Sequence, residues 1–140
     1  MIAADIDRIQ TDELTAQDLP WALSLAWDNY KPSFDPGAAV LFYLNVLKSP
    51  LCFKRRSPYA FCIGTIVTAP WNPAEKELHG LVLVAQRGHH WQAVKLLRES
   101  VIWAHKHGCQ HWWFTSDYSN IELLCRRIGA KRKARYVIDL

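Results

Sequence analysis

The chain has 140 residues, half of them apolar and 21% charged, with 17 lysines and arginines against 13 acids and a formal net charge of +4. That size and balance suit a single folded domain over residues 1–140 and exclude a disordered or collagen-like chain. No apolar run reaches the ~18 residues that span a bilayer. The first residues carry acids rather than a basic signal region, so the expectation is a cytoplasmic protein without a membrane partner. Cys52, Cys62, Cys109 and Cys125 form no CxxC pair and read as reduced thiols.

In chain order, "MIAADIDRIQ" reads as a short strand. Asp18 is placed to cap the next helix, with Pro20 in its first turn and Leu23, Trp27 and Tyr30 on one face. "KPSFDPG" breaks it, and "AAVLFYLNVLK" reads as a second, largely buried helix ended by Pro50. The period then changes. "LCFKRR", "YAFCIGTIV" and "ELHGLVLVA" are strand-like, separated by Ser-Pro and by "APWNPAEK", which suggests an antiparallel meander. From Trp91 the helical period returns, with Val94, Leu97, Val101 and Ala104 on one stripe and Gly108 as the terminating glycine. "CQHWWFTSD" reads as a strand, "NIELLCRRIG" as a short helix and "ARYVIDL" as a closing strand. The order β-α-α-β-β-β-α-β-α-β predicts an α/β (α+β) fold, a mixed, mostly antiparallel central sheet flanked by helices.

Several constellations carry chemistry. Glu77 and His79 are two apart on a candidate strand and so point to one face. Imidazole changes protonation state near neutral pH, which suits a base. The alternative is a solvent-facing pair at a strand's start. His105, His107, Cys109 and His111 alternate across a helix end, a glycine and a strand start, and this spacing does not build a tetrahedral zinc set. No metal is expected. The adjacent Trp112 and Trp113 face opposite sides of a strand, so one belongs to the core and the other is free to line a groove or a dimer contact. The basic cluster Arg126, Arg127, Lys131, Arg132, Lys133 and Arg135 suits a phosphorylated ligand or nucleic acid, or else a solvated strand edge. "VAQRGHHWQAVKLL" is a strand, a turn with one glycine and a helix start, the arrangement that presents backbone amides to a phosphate.

The succession from Glu77 to Leu140 resembles the GNAT superfamily of acetyl-CoA-dependent N-acetyltransferases. In that family a central strand enters a loop of the form R/Q-x-x-G-x-G/A, which opens a helix whose amides bind the pyrophosphate of coenzyme A. "ELHGLVLVAQRGHHWQAVKLL" lies on this pattern without a gap: Ala93 takes the last small position, and Leu96 and Leu97 the leucine pair. Gly88 falls at the usual arginine with Arg87 one residue early, and His89 and Trp91 replace glycines.

The resemblance implies acetyl transfer from acetyl-CoA to a primary amine, on a small molecule or a protein, by direct attack in a ternary complex. It implies cofactor contacts from Val82, Leu83 and Val84 of the strand, from Arg87, Gly88, His89, His90, Trp91, Gln92 and Ala93, and from Asn120, which matches the asparagine near the pantetheine arm. Glu77 lies where several members place a carboxylate base. Cys125 stands where many carry the tyrosine that protonates the leaving thiolate, and Tyr118 is a second candidate acid. Free cysteine, with a pKa of about 8.5, is close to the departing thiol. The lost glycines, the missing tyrosine and Ala130 in place of an aromatic keep a second reading open, a catalytically silent binding or assembly module. A nucleic-acid-associated protein is a third, and a homodimer is also left open.

Overall fold

The structure, a computed structural model, describes residues 3–30, 34–114, 119–131 and 138. Helix α1 (Ala3–Ile6) forms where the sequence suggested a strand. Alanine favours helix, Asp5 lies in the first turn, and Ile6 is buried. The first strand is displaced to β1 (Asp12–Glu13), whose acids pair in register with Arg56 and Arg55.

A 3₁₀ turn at Ala16–Asp18 leads into α2 (Leu19–Tyr30). Asp18 does not serve the helix as a cap. Its carboxylate accepts from the Thr15 amide at 2.8 Å and from Arg56 Nη1 at 2.8 Å. The buried stripe of α2 is Ala22, Leu25 and Ala26, with Leu23 partly buried against the same core and Trp27 outside it. Small alanines let the helix sit close to the sheet, while Trp27 stays 43% exposed and meets Phe34 edge-on. The side chain of Tyr30 lies outside the described residues.

Helix α3 (Pro36–Lys48) is capped by Asp35, whose carboxylate accepts from the Ala38 amide at 3.2 Å. It was expected to be largely buried. In fact Tyr43 and Val46 are its buried residues, and Leu41, Phe42 and Leu44 face solvent. Ala39 and Leu47 pack partly buried beside Tyr43 and Val46, and Leu41, Phe42 and Leu44 lie outside that stripe.

Strands β2 (Cys52–Arg56), β3 (Ala60–Ala69) and β4 (Asn72–Ala85) form the expected antiparallel meander. Most of "APWNPAEK" is strand rather than connection, because β3 and β4 pair out to Ala69 and Asn72. Helix α4 (His90–Lys106) then carries the chain to β5 (His111–Trp113), which lies parallel to β4, and α5 (Ser119–Arg127) follows. The sheet order is β1-β2-β3-β4-β5. The expected closing strand falls outside the described residues, apart from Ile138. Gly108 and Gly129 take φ of 78° and 88°, as glycines that end helices do.

Each sheet face has its own core. Leu14, Ala22, Leu25, Tyr43, Phe61, Ile63 and Val84 pack on the α2–α3 side. Phe53, Cys62, Leu78, Leu83, Leu96 and Leu97 pack on the α4 side, joined by Leu124, Cys125 and Ile128. On α4, Ser100 turns inward and the expected Val101 is 39% exposed.

One irregularity sets up the site. In the β3–β4 ladder Gly64 opposes Gly80 and Ile63 opposes Val82, so Leu81 is an extra residue, 45% exposed. A bulge of this kind bends a strand and interrupts its pairing.

Candidate functional site

The connection from β4 to α4 is a tight turn fixed at both ends. The Gln86 amide donates to Tyr59 O at 2.7 Å, and the His89 amide donates back to Gln86 O at 3.0 Å. Gly88 sits between them at φ 87°, a conformation that only glycine reaches at low cost, and a Cβ added there would meet nothing within 4 Å. The chain thus reaches α4 with open space in front of Gly88. The amides of His90 and Trp91 fall in the first turn, where an α-helix has no upstream carbonyl for them and its dipole favours an anion. The Gln92 amide is used, donating to His89 O at 3.1 Å.

The rings that replace glycines each rest on a neighbour. His89 stacks on Tyr59 with centroids 4.0 Å apart, and His90 tilts against Trp91 at 5.0 Å. Trp91 lies beneath the guanidinium of Arg127 of α5, 4.6 Å from its ring centroid. Gln92 Oε1 accepts from Ser57 Oγ at 2.5 Å and from the Tyr59 amide at 2.8 Å, tying the helix start to the β2–β3 turn. Arg87 is exposed, and Ala93 is buried where α4 meets the sheet.

The parallel pairing joins Glu77–His79 to His111–Trp113. Gln86 directs its amide toward β3, so alternation along the strand directs the backbone groups of Leu83 and Ala85 to the opposite edge, the side on which β5 lies. Of Val82, Leu83 and Val84, Leu83 is therefore the one whose backbone reaches that edge. Val82 and Val84 pair toward Ile63 and Phe61. Just past β5 the Phe114 ring covers Gly80 so closely that a Cβ there would collide with it.

Glu77 and His79 come together as the sequence suggests, with Oε2 and Nε2 2.8 Å apart and side chains 24% and 45% exposed. Leu78 between them is buried on the α4 side, so the pair faces the α2–α3 side, next to Thr65, which is in register with His79. In register on the other flank is Trp113, which is exposed. Its neighbour Trp112 turns to the α4 side and donates Nε1 to Ser100 Oγ at 2.9 Å.

The candidate acids are placed differently. Cys125 packs in the α4-side core, and burial pushes its thiol up. The Cys62 thiol is raised by burial and by the nearby Cys125. Tyr118 lies outside the described residues; Asn120 is in the first turn of α5, but its side chain is not described. Among the described residues no three His, Cys, Asp or Glu side chains gather to hold a metal, and no helix is long and apolar enough to cross a membrane. His107 turns back on α4, stacking on Trp103 at 3.9 Å.

Sequence reasoning missed Ser57, Tyr59 and Arg127. The turn "RRSPYA" shows Ser-Pro punctuation but nothing that links it to a helix more than thirty residues later. Arg127 was visible only as one member of a basic cluster.

These features define a mixed α/β fold in which a parallel strand pair lies beside a helix N-terminus. No family model matches the sequence, and no curated protein does. Solved structures do. A transcriptional regulator from Bacillus halodurans superposes with a TM-score of 0.78 at 13% identity, covering 94% of this chain and 99% of that one. A predicted acetyltransferase from Clostridium acetobutylicum, crystallised with acetyl-CoA, gives 0.78 at 11% identity over 94% and 96%. The aminoglycoside 6'-N-acetyltransferase AAC(6')-Ih from Acinetobacter baumannii gives 0.77 at 11% identity over 94% and 97%. The chain has the GNAT fold.

Proposed function

We propose that the protein is an acetyl-CoA-dependent N-acetyltransferase that carries out direct transfer to a primary amine in a ternary complex. The observation that carries this reading is the Gly88 turn running from the end of β4 into the first turn of α4. A diphosphate fits the amides of Gly88, His90 and Trp91. When bound there, acetyl-CoA supplies an activated acetyl thioester and a thiolate leaving group.

The chain's own groups supply the proton chemistry. His79 takes the proton from the acceptor ammonium, directly or through one water. Glu77, 2.8 Å away, orients the imidazole and stabilises it once charged. The acceptor lies on the α2–α3 side of the sheet, the side these two residues face. Burial keeps Cys125 protonated, the state a donor to the thiolate needs, although its core packing favours a structural role.

Calorimetry with acetyl-CoA, followed by thiol release across a panel of amines, tests the reading. Binding and turnover are expected. Replacement H79Q should lower kcat by about 10²–10⁴-fold with little change in acetyl-CoA affinity, and E77Q should lower it less. Absence of binding at millimolar acetyl-CoA would overturn the proposal. Binding without turnover on any amine would instead favour the silent binding module that the replaced loop glycines suggest.

A further inference from the structure

The Trp91–Arg127 pair follows from the loop's unusual side chains. Trp91 is the second residue of α4 and Arg127 the last residue of α5, and the guanidinium stands over the indole at 4.6 Å from its centroid. The contact lies at the edge of the packing between the two helices, where Leu124, Cys125 and Ile128 join the core of α4. A guanidinium held over an aromatic face needs no acceptor for that contact, which leaves its N–H donors available to an anion. Those donors are arranged to take a phosphate bidentately, and they are held beside the helix turn whose amides and dipole also favour an anion.

We infer that Arg127 binds a phosphate of coenzyme A and that Trp91 is the positioning residue that holds it for that contact. This rests on the donor reading above and deepens it. Where glycines would let the loop backbone close around a diphosphate, this chain spends two of those positions on His89 and Trp91. It recovers anion binding through a cation brought from α5. The indole is therefore part of the donor site by what it holds rather than by what it touches.

The test measures coenzyme A affinity calorimetrically for the full chain and for R127Q, W91A, W91F and the double variant W91A/R127Q, each checked by thermal melting. R127Q should bind about 10-fold more weakly, with a shallower dependence of affinity on salt, since one phosphate contact is lost. W91A should weaken binding comparably. W91F, which keeps an aromatic face, should stay within about two-fold of the parent. The double variant should be no worse than the weaker single one, because the two residues act as a unit. Unchanged affinity or salt dependence in R127Q would overturn the assignment of Arg127, and unchanged affinity in W91A would overturn the role of Trp91. Failure of the unsubstituted chain to bind coenzyme A would overturn the donor reading first and this inference with it.

Discussion

Helix α4 buries Ala93, Val94, Leu96, Leu97, Ser100 and Ala104, whereas helix α3 buries Tyr43 and Val46 and leaves Leu41, Phe42 and Leu44 in contact with water. The same meander supports both layers, so the difference lies in what covers it. Helix α4 sets a wide apolar face on the strands, and Trp112 reaches back to Ser100 to lock β5 against it. Helix α3 touches down with Tyr43 and Val46. On the proposed reading, a turn that holds amides for a diphosphate gains from the more fully anchored helix, because preorganised donors cost no rearrangement when charge arrives. An acceptor surface has no such need.

Substitutions on the two sides should break or sharpen that contrast. L97A removes a fully buried side chain of α4 and should cost about 2–5 kcal/mol, whereas L41A, 65% exposed, should stay within about 0.5 kcal/mol. Urea titration measures both, and similar costs would erase the distinction. G80A drives a methyl group into the Phe114 ring and should cost about 1–3 kcal/mol. A second change, F114L, should return part of that loss in the same titration.

The smallest effect belongs to Asp18, which clamps the entry of α2 to β2. Burial alone would raise its carboxyl pKa, but the hydrogen bonds from the Thr15 amide, Arg56 and the Thr15 hydroxyl outweigh it and leave the pKa below the ordinary value of 3.8. A lowered folded value means that the clamp stabilises fully above the unfolded value of 3.8 and fades as pH falls through the folded one. D18N should therefore cost about 1 kcal/mol at neutral pH, with the difference from the parent vanishing in strong acid. Stability curves at several pH values read this directly, and a gap that persisted in strong acid would count against the clamp.

Much of the fold could be read because local signals agreed with it. The change from helical to alternating period marks the meander, and Gly108 and Gly129 end their helices at positive φ. The Glu77–His79 pair was legible for the same reason, since spacing alone places both on one face. What escaped depended on tertiary partners. Residues 3–6 are helical with Ile6 buried, a context no alternation reveals. The apolar residues of α3 suggest burial, yet nothing local says how much of the helix will find a partner. The links from Gln92 to Ser57 and from Trp91 to Arg127 join positions whose proximity only the folded chain creates.

Leu81 sits in "GLVLVA", where every residue is apolar or glycine and no alternation betrays an extra one. Because the bulge absorbs it, Glu77 and His79 share the α2–α3 face with Val82 and Val84, while Leu78 and Leu83 share the other. Removing Leu81 would thus leave each core residue on its own side. What it would take away is the local bend of β4 beside Gly80. The residue works as a shim: it can be withdrawn without unseating the parts around it.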